Sequence, residues 1–273
     1  MPPLRYQKSF SKKYILNFSL NGFLRMIIIF ILKHFDFERK NMQYFDHTSL
    51  YKTLDNVLHA ELFEQKIPKD EKEEIGQWIS QRQGIRGSYS CLFAPTEKDY
   101  KDGSRLFTGE PINSGAATAH ILGEEAMITL QKWQLTSPEI QKTLHTAKKG
   151  WNKRFKEEEE LNKTTVGMFC CGKCTNSYWR ALHFGCIDNA DERITAGLKI
   201  LHQLHDDKGK WRRFPFYHTI WVLSDLNYPQ AKEELQYVHP IMKRYLNRKA
   251  DLGDLYQNRR RLIIQKAIMH MEK

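Results

Sequence analysis

The sequence predicts an all-α fold. Apolar residues recur at helical spacing along the body of the chain, and recognisable helix starts and stops punctuate that spacing. No run alternates apolar and polar residues in the way a half-buried strand would. Nine Pro and 15 Gly in 273 residues are also too few for an all-β chain of many tight turns.

The elements follow in order. Leu50, Leu54, Val57, Leu58 and Leu62 share one helix face. Ile121, Leu122, Ala126 and Leu130 form a second stripe, and Ser137-Pro138-Glu139 opens the next helix with a hydroxyl, a proline in the first turn and an acid near the positive end. Lys149-Gly150 reads as a break. Further stripes are Ile194, Gly197, Leu198 and Leu201, then Ile220, Leu223 and Leu226; Asn227 to Pro229 stops that helix and Gly253 marks another break. Lys243, Arg244, Arg248, Lys249 and Arg259 to Arg261 interleave with Tyr245, Leu255, Tyr256, Leu262 and Ile263. They read as a closing amphipathic pair with a solvated basic face.

Composition sets bounds. With 41% hydrophobic, 12% aromatic and 27% charged residues, wholesale disorder, collagen and multi-span membrane classes are excluded. The formal charge of +11 is uneven: residues 1–41 hold eight Lys/Arg against two Asp/Glu, and the rest is only mildly basic. That balance does not describe a nucleic-acid groove. Two domains result, a basic, apolar arm at 1–41 and a body at 42–273. Tyr14 to Leu32 is a 19-residue apolar-leaning stretch, but it contains Asn17, Asn21 and Arg25, and a central Arg costs about 2.5–3.5 kcal/mol in a spanning helix. The arm is expected to be an extension outside the fold of a cytoplasmic protein. Membrane association through residues 14–32 is the alternative.

Four of the five cysteines, Cys170, Cys171, Cys174 and Cys186, fall within seventeen residues. An odd, clustered set fits metal binding or reduced thiols better than a disulfide framework. Cys171-Gly-Lys-Cys174 is a spacing that lets two thiolates grip one tetrahedral zinc, with Lys173 favouring thiolate over thiol. Cys170, Cys186, His183 and His218 are candidate further ligands. The alternatives are small apolar core residues or thiol redox chemistry.

A repeat runs through the body. Gln83 to Tyr89 and Gln203 to Trp211 each place Gln at a helix end, then a glycine turn, then an aromatic ring; Val166 to Phe169 repeats the second half. The glycines Gly87, Gly167 and Gly209 fit a unit of about 40 residues, read as helix, turn, helix. These residues resemble the repeats of the terpenoid cyclase and protein prenyltransferase superfamily. Phe216-Tyr217-His218-Thr219, with Leu223-Ser224, is similar to a segment of protein prenyltransferase β subunits whose His ligates zinc. Cys174, followed by Ser177, Tyr178 and Trp179, is similar to the segment supplying that site's Cys. Two departures stand out: the Cys-to-Trp spacing is one residue longer, and Gly172 stands where the family has an Asp ligand. The similarity covers about residues 75–230.

The resemblance implies an α/α toroid, complete or truncated, of helical hairpins around an apolar cavity. It implies zinc held by Cys171, Cys174 and His218, with His218 and Tyr217 as the catalytic pair. Trp179, Trp211, Arg212 and Arg213 would bind an isoprenoid-like ligand, its anionic end facing the arginines. Lys210 and the start of the helix at Tyr217 suit an anion in any case, although a solvated basic turn explains them equally. The resembled transferases work with a partner subunit. A non-catalytic toroid that binds a peptide or protein, or serves as a structural unit, is the rival function. His120 and Glu124 share a helix face and could act as base and orienter, an exposed pair being the more frequent outcome. Asp188 and Asp191, beside Arg193, read as a helix cap and first-turn acids. No Asp-x-Asp-Asp or Asp-Asp-x-x-Asp segment, phosphate loop or dinucleotide fingerprint occurs, which disfavours a squalene-type cyclase.

Overall fold

The computed structural model describes residues 43–161, 165–247 and 254–272. Among them are ten helices and no strand, so the fold is all-α. Residues 44–273 form one compact unit. The arm at 1–41, Arg248, Lys249 and Gly253 lie outside the described residues.

The helices are α1 (Leu50–Leu62), α2 (Lys69–Ser80), α3 (Glu97–Asp102), α4 (Gly115–Trp133) and α5 (Pro138–Glu160), then α6 (Gly172–His183), α7 (Ala190–Gln203), α8 (Phe216–Asp225), α9 (Pro229–Leu246) and α10 (Leu255–Met271). Local chemistry explains several of the boundaries. The Ser49 hydroxyl accepts from Lys52 N at the start of α1. Buried Asp99, itself in a capping box with Thr96, accepts from Leu50 N and Tyr51 N of the same helix end. One carboxylate thus satisfies backbone donors of two helices. Pro138 opens α5 and Pro229 opens α9, where a missing N–H costs nothing.

Gly150 does not break its helix, because α5 runs from residue 138 to residue 160 without interruption. The glycine serves packing: a Cβ there would stand 2.6 Å from Cys91 Sγ. A close approach by a neighbour, rather than backbone freedom, selects it.

Helices α1, α4, α6, α8 and α10 touch one another in that order, while α2, α5, α7 and α9 lie against them. The last of the first set is bound back to the first. Arg259 of α10 makes a two-pronged ion pair with Asp55 of α1, at 2.6 and 2.8 Å. The Tyr51 and Tyr256 hydroxyls meet at 3.2 Å, and Lys266 Nζ donates to the Leu62 carbonyl at 2.9 Å. Arg259 is only 1% exposed, and Arg260 Nε donates to the Thr108 carbonyl. The expected solvated basic face is therefore wrong at these two positions, because Arg259 is paired with Asp55 of α1 and Arg260 is bonded to the loop at Thr108.

Between the two sets of helices lies a large apolar core that includes Leu54, Ile75, Trp151, Trp179, Ile194 and Leu235. Each fully buried aliphatic or aromatic side chain here contributes about 1.5–3 kcal/mol of transfer free energy. The four stripes read from the sequence all point into this core or its satellite clusters.

Candidate metal centre

The chain enters α6 through Phe169, Cys170 and Cys171, and this entry is fixed from several sides. Phe169 N donates to Thr175 Oγ1 at 3.0 Å, folding the segment back on the first turn. Cys171 is the N-cap residue in extended conformation. At Gly172 an added Cβ would fall against the Arg213 carbonyl and Phe214, so only glycine lets the loop before α8 come this close.

The result is a cluster of three thiols. The Sγ atoms of Cys170, Cys171 and Cys174 all lie within 4.8 Å of one another, the first two exposed and the third buried. Sulfurs about 2.3 Å from one tetrahedral zinc stand about 3.8 Å apart, so the spacing is compatible with a shared ion. The three could hold a metal ion.

Their acidities diverge. Hydrogen bonds from Cys170 and Cys174 hold Cys171 well below the usual thiol range, helped by the backbone N–H groups of Cys174 and Lys173 at the helix start. The same hydrogen bonding, with burial, pushes Cys174 up, and the bond to Cys171 raises Cys170. Cys171 is thus the most acidic thiol of the set. Lys173 helps through its backbone N–H, while its ammonium donates to the Pro111 carbonyl at 2.6 Å.

Aromatic rings adjoin the cluster. Phe169 packs against Cys174 and also against His120, with ring centroids 4.4 Å apart. Tyr89, whose phenol is raised first by burial and also by the nearby Glu158 charge, faces His120 at 5.2 Å and Trp151 at 5.6 Å. His120 and Glu124 are 1% and 0% exposed, not the exposed pair expected. His120 Nε2 is 3.1 Å from Glu124 Oε2, and Trp151 Nε1 donates to Glu124 Oε1 at 2.8 Å.

The other residues singled out in the sequence are distributed differently. His218 belongs to no metal-ligating set, so Cys171, Cys174 and His218 do not form the expected trio. It is buried beside Trp221, at 5.2 Å between centroids. Burial, reinforced by the nearby Arg180 guanidinium, lowers its pKa to about 3, so the imidazole is neutral. Tyr217 lies under the Arg260 guanidinium, 4.7 Å from its ring centroid. Trp179 is core: its indole donates to the Gly167 carbonyl and stacks on Phe214. Arg212 and Arg213 are exposed. Arg213 has a left-handed backbone (φ 66°), and the Arg212 guanidinium donates to the Gln203 carbonyl at 3.4 Å. Cys186 and His183 join neither set; burial pushes Cys186 up to about 12 and His183 down. Asp191 lies in the first turn of α7 and accepts from the Tyr228 hydroxyl, but Asn189, not Asp188, is the cap residue.

The interior space bordered by Ser177, Arg180, His218, Trp221, Glu125 and Tyr51 measures about 30 Å³. That is room for about two waters. Most of its wall is apolar, from Leu54, Leu58, Phe107 and Leu122 among others, with Arg180 on one side: this residue is wholly buried, forked onto Glu125 at 3.2 and 3.1 Å and joined to Asp225 at 2.8 Å, with its face 3.8 Å from the Trp221 ring centroid.

A second set, which the sequence did not disclose, comprises His202, His205 and Glu234. The Gln203 to Trp211 segment drew attention for its glycine and its ring, yet its imidazoles are what meet Glu234 of α9.

Fold and clusters together define an all-α protein with two groups of side chains able to hold metal ions. No family model matches the chain, and neither a curated protein nor a solved structure matches it. Among the described residues no helix is long and apolar enough to cross a membrane.

Proposed function

We propose that this is a zinc-thiolate protein built on a helical toroid, with Cys170, Cys171 and Cys174 as its metal ligands. One observation carries the reading: three thiols converge on a helix start, their sulfurs within 4.8 Å of one another. Three soft donors suit zinc, and catalytic zinc sites keep three protein ligands and one open position. When bound, zinc would supply a Lewis acid able to activate a thiol or similar nucleophile. The protein's own part is to present Cys170 and Cys171 to solvent, to hold Cys174 in the interior, and to flank the cluster with Phe169 and Tyr89.

The toroid reading is supported by the order of helix contacts and by the pairs that join α10 to α1. Transfer of an isoprenoid-like group is supported by the motif resemblance alone. The second reading, a non-catalytic module for a peptide or protein partner, is favoured by the narrowness of the space beside Arg180, about 30 Å³, with Asp55, Glu125 and Arg180 among its lining residues.

Elemental analysis of the purified chain tests the conclusion. About one sulfur-ligated zinc per chain is expected, with sulfur-to-metal charge-transfer absorption after cobalt exchange. Loss of both in Cys171→Ser and Cys174→Ser supports the assignment, whereas sulfur-ligated metal retained in both variants refutes it. Turnover of a prenyl diphosphate with a thiol acceptor would separate the transferase from the non-catalytic module.

A further inference from the structure

The geometry points to a second metal site of a different chemistry, a two-imidazole, one-carboxylate centre made by His202, His205 and Glu234 that takes a borderline divalent cation such as zinc, cobalt, nickel or iron(II). His202 lies in the last turn of α7, His205 just beyond it, and Glu234 on α9, 29 to 32 residues away. His202 Nδ1 stands 2.9 Å from Glu234 Oε1, and His205 Nε2 stands 2.7 Å from Oε2. Ligand atoms about 2.1 Å from a common ion at angles between octahedral and tetrahedral are about 3.0–3.4 Å apart. Both imidazole-to-carboxylate distances are within a few tenths of an ångström of that range, and the three ligand atoms all lie within 4.8 Å of one another.

The surroundings hold these groups as supporting groups hold metal ligands. Trp211 Nε1 donates to Glu234 Oε2 at 2.6 Å and aims a carboxylate that is only 2% exposed. The His205 ring lies flat on Tyr237, centroids 3.5 Å apart and planes 2° from parallel, and the Tyr237 hydroxyl donates to the Lys210 carbonyl. The His202 side chain is 68% exposed, which gives an ion a path in and leaves coordination positions to water or a ligand. Imidazole with carboxylate suits these cations better than calcium or magnesium, and the absence of sulfur separates this centre from the thiol cluster. A bound ion would staple the end of α7 to α9.

Cobalt(II) titration of the full chain carrying Cys170→Ser, Cys171→Ser and Cys174→Ser tests the site. One equivalent is expected, with d–d absorption but no sulfur charge transfer, and with partial quenching of tryptophan fluorescence from Trp211. Adding His202→Asn, at an exposed position, should weaken binding at least tenfold. No uptake by the triple-serine chain, or uptake indifferent to His202→Asn, overturns the inference. Should the triple variant fail to fold, the otherwise unaltered chain gives the same reading. Two equivalents are expected there, and only the one without sulfur charge transfer should be lost in His202→Asn. A single sulfur-ligated equivalent overturns the second site. Sulfur charge transfer absent from the unaltered chain would count against the thiolate centre alone.

Discussion

The two ends of α6 differ in what they do. At its N-terminus stand three thiols, two of them exposed, whose neighbours settle which one ionises. Three turns on, Arg180 is wholly buried and binds Glu125 of α4 and Asp225 of α8. A single short helix therefore separates reactivity from cohesion. The exposed end can be altered at little cost, whereas the buried end joins three helices through a charge that nothing else could neutralise.

Substitution at the buried end should produce the largest effect. Arg180→Met leaves the buried Glu125 without its cation and the half-buried Asp225 without its partner, and breaking a buried pair costs about 3–5 kcal/mol. Urea denaturation followed by circular dichroism should show it. A variant within 1 kcal/mol of the parent would mean that Arg180 does not bind α4 to α8.

Acid acts on buried imidazoles, His218 near Arg180 and His59 near Arg259. The folded protein keeps His218 neutral down to about pH 3 and His59 down to about pH 4, whereas the unfolded chain protonates both near 6.5. The unfolded state then binds more protons, so this stability is complete above pH 6.5 and declines as pH falls. Each residue contributes a limiting slope of about 1.4 kcal/mol per pH unit. Between pH 6.5 and 5, His218→Gln should remove about half of the combined slope. An unchanged slope would show that His218 is not held neutral.

A smaller effect is expected at the junction of the two ends with α8. Gly172→Ala drives a methyl group against the Arg213 carbonyl and Phe214, an overpacking worth about 1–3 kcal/mol. It should also reduce the reaction rate of Cys171 with an alkylating reagent near neutral pH. The smallest change in stability is expected for Cys171→Ser at its exposed site, within about 0.5 kcal/mol of the parent without metal. Alkylation of the remaining thiols near neutral pH should nevertheless slow sharply.

Legibility in the sequence followed distance along the chain. The stripes Leu50 to Leu62 and Ile194 to Leu201 were readable because helical periodicity is local. The thiol cluster was readable because its members span five residues. Glu234 was not, since its partners sit 29 and 32 residues away and an acid on an amphipathic helix ordinarily faces water. Arg259 was hidden within a run of three arginines, where composition alone does not reveal that one meets Asp55 across 204 residues. Gly150 misled because a glycine chosen for contact with Cys91 reads the same as one chosen for a bend. His218 carried the strongest motif resemblance, yet the fold sets it in the wall of the interior space.

The pairing of Asp55 with Arg259 also governs the order of events during synthesis. A chain emerging from the ribosome makes α1 early and exposes Asp55 without its counterion until almost the whole body has been translated. Long-range closure of this kind slows folding, because the loop must be brought together before the contact rewards it. Nascent chains that stop short of α10 should therefore leave Asp55 unpaired and be prone to capture by chaperones, and release should coincide with the emergence of α10.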